Sequence, residues 1–152
     1  MKKIVIIIMF LLLLSGCRKI NKISDKIEIN LDNCKIVSDK DTHGGFLGDG
    51  DYFAEISCDN VDLTDNWKEL PLSESINTIL RVKQCNGDGC KDVYERYNIP
   101  NITNGYYIFI DRHDESNNKY DDSELNNRSS YNFTLAILDK ETNTIYYYEL
   151  DT

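Results

Sequence analysis

The chain has 152 residues with 26 acidic and 17 basic side chains, a formal charge of −9. That length suits one compact domain, and the acid excess excludes nucleic acid as a partner, because phosphate backbones are held by positive patches. The charge is unevenly spread. Two bases lie before residue 17 and four between 17 and 26, which leaves 11 bases against 25 acids from Ile27 onward, a charge of −14.

Lys2 and Lys3 precede an unbroken apolar run of eleven residues, Ile4 to Leu14, which leads into Ser15, Gly16 and Cys17. A spanning helix needs about 20 apolar residues to cross roughly 30 Å of hydrocarbon, so the run reads as a cleaved export signal over residues 1–16. Leu14-Ser15-Gly16-Cys17 resembles the lipobox of bacterial lipoproteins. The resemblance implies that the Cys17 thiol receives a diacylglyceryl group, that the leader is cut before it, and that the mature protein is held on the extracytoplasmic face of the cell membrane. Two acyl chains, at about 0.8 kcal/mol per buried CH2, hold a protein on a bilayer that one chain binds only reversibly.

Residues 17–26 carry Arg18, Lys19, Lys22 and Lys26 against the single acid Asp25, and are expected to form a basic tether. Extended, such a stretch reaches about 30 Å, and each base near an anionic surface adds on the order of 1 kcal/mol of attraction. Residues 27–152 are expected to fold as a single acidic domain. Ile27, Ile29 and Leu31 alternate with polar residues as in a half-buried strand, and Cys34 to Val37 continue it. A glycine- and aspartate-rich loop follows, then a strand from Tyr52 to Cys58. Ser73 is placed to cap a helix reaching Val82, with Ile76, Ile79 and Leu80 on one face and Glu74 in the first turn. A second short helix is expected from Cys90 to Tyr97.

Gly105 to Ile110 is rich in aromatic and β-branched residues and predicts a strand. Tyr131 to Leu138 and Thr144 to Leu150 flank the turn-forming residues Asp139 to Asn143 and predict an antiparallel hairpin. Within it, Tyr146, Tyr147 and Tyr148 must alternate between the faces of the sheet, so one face is solvated or covered by a second element. The fold class is α+β: an antiparallel sheet with a C-terminal hairpin and one or two short helices.

Beyond Cys17 there are four cysteines, Cys34, Cys58, Cys85 and Cys90. An exported chain permits disulfides, and four cysteines allow three connectivities. Gly87 and Gly89, between Cys85 and Cys90, permit the tight loop that bonding those two requires, which leaves Cys34 to pair with Cys58. Zinc ligation and free thiols are the alternatives; the isolated Cys34 and Cys58 lack the paired spacing of structural zinc sites.

The segment from Asp41 to Asp51 holds His43 and Gly44, Gly45, Gly48 and Gly50; the other histidine, His113, follows the strand ending near Asp111. Each histidine has an aspartate two residues upstream. Brought together, His43, Asp111 and His113 would bind a divalent metal and activate water for hydrolysis. The competing reading is a turn in which the glycines relieve the backbone and the aspartates cap it. Metalloprotease, nucleophile-elbow, Walker and EF-hand patterns are absent.

The string Thr42-His-Gly-Gly-Phe-Leu-Gly-Asp-Gly50, with Gly105 to His113 and the hairpin from Tyr131 to Asp151, resembles a group of small uncharacterised bacterial proteins. The resemblance implies no activity. It places histidine in relatives where this chain has Leu47, a departure that removes one potential ligand. By elimination the expected function is a non-enzymatic binding or interaction domain without a cofactor, whose partners are the membrane, through the lipid on Cys17, and an envelope protein. The alternative is a metal-dependent hydrolase using His43, Asp111 and His113.

Overall fold

A computed structural model describes residues 19–44, 48–87, 89–113 and 118–152. The leader and Cys17 lie outside the described residues, as do Leu47 and Asp114. In place of the extended tether, the first described element is a helix, α1 (residues 19–27). Its Ile20, Ile23 and Ile27 recur at helical spacing, and Ile23 and Ile27 are fully buried. Three apolar side chains among charged ones carry too little periodicity to stand out in sequence, and tertiary burial supplies the rest.

Glu28 turns into the left-handed region at φ 61°, and the Ile29 N–H donates to Ser24 O at 3.3 Å, which closes α1. Ile29 and Leu31 then bury themselves in the same core as α1. Their alternation with Ile27 comes from a helix end running into a turn, and the strand expected over Ile27–Leu31 is absent.

Eight strands follow: β1 (Cys34–Asp41), β2 (Gly50–Cys58), β3 (Lys68–Glu69), β4 (Gln84–Asn86), β5 (Gly89–Lys91), β6 (Gly105–Asp111), β7 (Asn132–Asp139) and β8 (Thr144–Asp151). Six form one antiparallel sheet in the order β1-β2-β8-β7-β6-β3, while β4 and β5 make a separate hairpin. The sheet is the α+β architecture expected, with β7 and β8 as the C-terminal hairpin. Its turn is held by Asp139, which accepts from the Glu141 N–H at 2.9 Å and the Thr142 hydroxyl at 2.8 Å.

Helix α2 (Glu74–Leu80) is capped by Ser73, whose hydroxyl accepts from the Ile76 N–H at 3.2 Å, and it buries Ile76, Ile79 and Leu80. It stops at Leu80, and Val82 is exposed. Helix α3 (Val93–Tyr97) starts later than Cys90. Asp92 and Glu95 cap its start reciprocally, and Cys90 belongs to β5.

The sheet is covered on both faces. On one, Phe53, Phe109, Phe133, Leu135, Tyr146 and Tyr148 pack against α2, α3 and a short 3-10 turn at Leu125–Asn127. On the other, Ala54, Ile56, Ile108, Ala136, Ile145 and Tyr147 meet α1 and Trp67. This settles the tyrosine triplet: Tyr147 faces α1, and Tyr146 and Tyr148 face the other layer. With both faces dry, β7 and β8 are buried almost end to end rather than alternately.

Both disulfides connect residues directly opposite in antiparallel pairs, Cys34 with Cys58 across β1 and β2, and Cys85 with Cys90 across β4 and β5. This is the expected connectivity.

Candidate functional site

The glycine-rich loop connects β1 to β2 at one end of the sheet. The Thr42 N–H donates to Asp51 O at 2.8 Å, which brings the two strands together. At Gly50, with φ +156°, a Cβ would lie 2.6 Å from the His43 backbone, so only glycine lets His43 sit there.

Held against β2, the His43 ring reaches two carboxylates, with Nδ1 2.7 Å from Asp41 Oδ1 and Nε2 3.0 Å from Asp151 Oδ2. The Arg112 guanidinium takes the other Asp151 oxygen at 2.8 Å and also donates to Phe133 O at 3.0 Å. The chain Asp41, His43, Asp151, Arg112 thus spans the sheet from β1 to the residue after β6. Burial disfavours the charged imidazole, but the two aspartates outweigh it and raise its pKa above the usual histidine value. Hydrogen bonds from the His43 side chain and backbone in turn lower the pKa of Asp41.

Asp111 is buried, and both its oxygens are engaged by Arg128, at 2.9 and 2.5 Å. It also accepts from the His113 N–H at 3.0 Å. Among the described residues, no three histidine, cysteine or carboxylate side chains converge to hold a metal ion. The structure therefore does not assemble His43, Asp111 and His113 into one centre. Both nitrogens of the His43 ring are already engaged by aspartates, and the Asp111 carboxylate is already bound by Arg128.

Two further acids are buried in the same manner. Asp51 accepts from Arg96 at 2.6 Å and from the Tyr148 hydroxyl at 3.3 Å, with the Thr42 hydroxyl on its other oxygen. Glu149 pairs with Lys26 of α1 and accepts from the Tyr147 hydroxyl at 2.5 Å. Burial, with the Glu149 charge, pushes the Tyr147 phenol up, so it stays a donor. A recess of about 260 Å³ lies between α1 and the sheet, and its Lys19 and Lys26 are ion-paired to Asp39 and Glu149.

The helical face presents a different feature, a groove of about 340 Å³ between α2, α3 and the connection 99–102. Leu70, Leu72, Ile99, Ile102 and Ile137 give it apolar walls. One rim is polar and fixed. The Tyr94 hydroxyl donates to Asn77 Oδ1 at 3.0 Å, the Asn77 amide donates to Leu72 O at 3.2 Å, and the Arg81 guanidinium lies over the Tyr94 ring, 5.3 Å from its centroid. Burial raises the Tyr94 pKa, against the opposing effect of Arg81, and keeps the phenol protonated.

Sequence reasoning did not find the groove. Asn77 and Arg81 are four residues apart on α2 and its end, but Tyr94 and Ile102 reach them only through the fold, and no motif joins the four. No protein-family model, curated protein or solved structure matches the chain.

Proposed function

We propose that the protein is a lipid-anchored extracytoplasmic binding domain, attached through Cys17 and acting by recognition of a ligand or envelope partner rather than by chemistry. The observation that carries the location is the pair of cross-strand disulfides, Cys34–Cys58 and Cys85–Cys90. Such bonds persist in oxidising compartments and are rare where thiols are kept reduced, in agreement with an export signal ending at Cys17. Recognition is favoured over catalysis by the way the ionisable side chains are used: His43, Asp51, Asp111 and Glu149 are each bound to oppositely charged partners inside the fold.

Helix α1 changes what the anchor does. Its described part starts at residue 19, and the two residues from Cys17 to that point can span at most about 7 Å. A lipid on Cys17 would hold the acidic body close to the headgroups.

The test is fractionation of cells expressing the chain and its Cys17→Ala variant. The native chain is expected in the membrane fraction, cleaved by protease added to the outside of cells whose outer barrier is opened, and the variant is expected to leave the membrane. A native chain protected from external protease, or a variant that stays membrane-bound, would contradict the proposal.

A further inference from the structure

The binding reading leaves the ligand open, and the groove on the helical face narrows it. Of the four described arginines, Arg96, Arg112 and Arg128 are each bound to an aspartate, whereas Arg81 has no carboxylate within ion-pair distance among the described residues. An outward-facing guanidinium without an acid beside it is what an incoming anion needs. The planar fork of arginine matches a carboxylate at two points. Here it is also held in place, because it stacks over Tyr94, whose hydroxyl is fixed by Asn77.

Beside that cation the groove carries the aliphatic side chains of Leu70, Leu72, Ile99, Ile102 and Ile137, set among polar surface. A fixed positive charge on the rim of a groove with both aliphatic and polar surface suits a group that joins an apolar side chain to polar atoms and one negative charge. A polyphosphate or sugar would leave the aliphatic surface uncovered, and the strongly negative body would repel a polyanion. The volume of about 340 Å³ lies at the lower end of ligand pockets, which run from about 300 to 1,000 Å³. The groove is not enclosed, so a chain can continue out of it.

We infer that the groove binds the free C-terminus of a peptide ending in an apolar residue, with the side chain against Ile99, Ile102 and Ile137 and the carboxylate on Arg81. The inference rests on the binding reading and is independent of the lipid anchor.

The test titrates the full chain, in lipid nanodiscs, with three probes: acetyl-alanyl-alanyl-leucine, the same peptide as its C-terminal amide, and 4-methylpentanoate. The free-acid peptide is expected to bind saturably, with the amide weaker by about tenfold, as loss of one charge-assisted pair implies. Arg81→Gln should lower the affinity for the acid to that for the amide and leave the amide unchanged. The bare acid should be weaker than the peptide. Equal binding of acid and amide, no saturable binding at millimolar peptide, or bare acid binding as tightly as peptide would each overturn the inference. Any of these results obtained on a chain still anchored through Cys17 would sink this ligand assignment and leave the location standing.

Discussion

At the loop end of the sheet, Asp41, His43, Asp151 and Arg112 close a continuous run of ion pairs, with Asp51–Arg96 and Asp111–Arg128 behind it. On the helical face, Arg81 stands over Tyr94 beside a partly aliphatic groove, with no carboxylate at ion-pair distance among the described residues. The first region holds a dense set of chemically capable side chains, and they are consumed in joining β1, β2, β6 and β8 at one end of the sheet. The second holds ordinary residues and leaves one charge unsatisfied. Chemical capability at a site depends on what remains after the fold has used its polar groups, and here that favours the plainer region.

The contrast predicts how substitutions divide. The largest effect belongs to Arg96→Ala, which strands the buried Asp51 carboxylate; it should cost about 3–5 kcal/mol, read from urea denaturation. Next is the double variant Cys34→Ser with Cys58→Ser, expected to lose about 3 kcal/mol by releasing a loop whose ends are 24 residues apart.

His43→Ala should cost about 1 kcal/mol, since two charge-assisted hydrogen bonds at a half-buried site are partly replaced by water. Its sign with pH follows from the raised pKa. The stabilisation from protonated His43 is fully present below the unfolded histidine value of about 6.5, and fades as pH rises through the higher folded value. Wild type and variant should therefore converge in stability in alkaline solution, and Asp151→Asn should lower the His43 titration midpoint in an NMR titration. Parallel stability curves from acid to alkali would break the assignment of His43 as an ion-paired link between β1 and β8.

The smallest stability effect is assigned to Arg81→Gln. It should stay within about 0.5 kcal/mol of wild type, because the side chain is exposed and closes no ion pair among the described residues. A cost near that of Arg96→Ala would show that Arg81 is structural after all and erase the distinction between the two regions.

The parts of the fold that rest on local pattern were legible in the sequence. Ser73 with Ile76, Ile79 and Leu80 located α2, and the paired runs around Asp139 to Asn143 located the hairpin of β7 and β8. Cys85 and Cys90, closed around two glycines, foretold both disulfides. What failed was whatever depended on distant contacts. Ile20, Ile23 and Ile27 make a helix only because the far face of the sheet is there to receive them, and Ile29 and Leu31 then imitate a strand's alternation. The helix α3 had a local signal, Asp92 with Glu95 three residues on, that marks its start more sharply than Cys90 does.

The site divides along the same line. His43 and Asp111 stand out by residue type, yet their partners, Asp151 and Arg128, lie 108 and 17 residues away, too far for any spacing rule to announce them. A loop rich in glycine, histidine and aspartate thus offers both a turn and a metal centre in sequence, and in the structure its His43 links β1 to β8. The groove has the opposite history. Asn77, Arg81, Tyr94 and Ile102 carry no motif, and only the packing of α2 against α3 and the chain beyond it brings them to one place.

The account stands or falls on an exported, lipid-bearing, oxidised chain, and intact-mass spectrometry of protein extracted from membranes tests this most directly. Alkylation under denaturing, non-reducing conditions should give a species that begins at Cys17, carries a diacylglyceryl group, and takes up label on none of Cys34, Cys58, Cys85 and Cys90. A mass that still includes residues 1–16 without lipid, or one that gains label at those four cysteines, would contradict it.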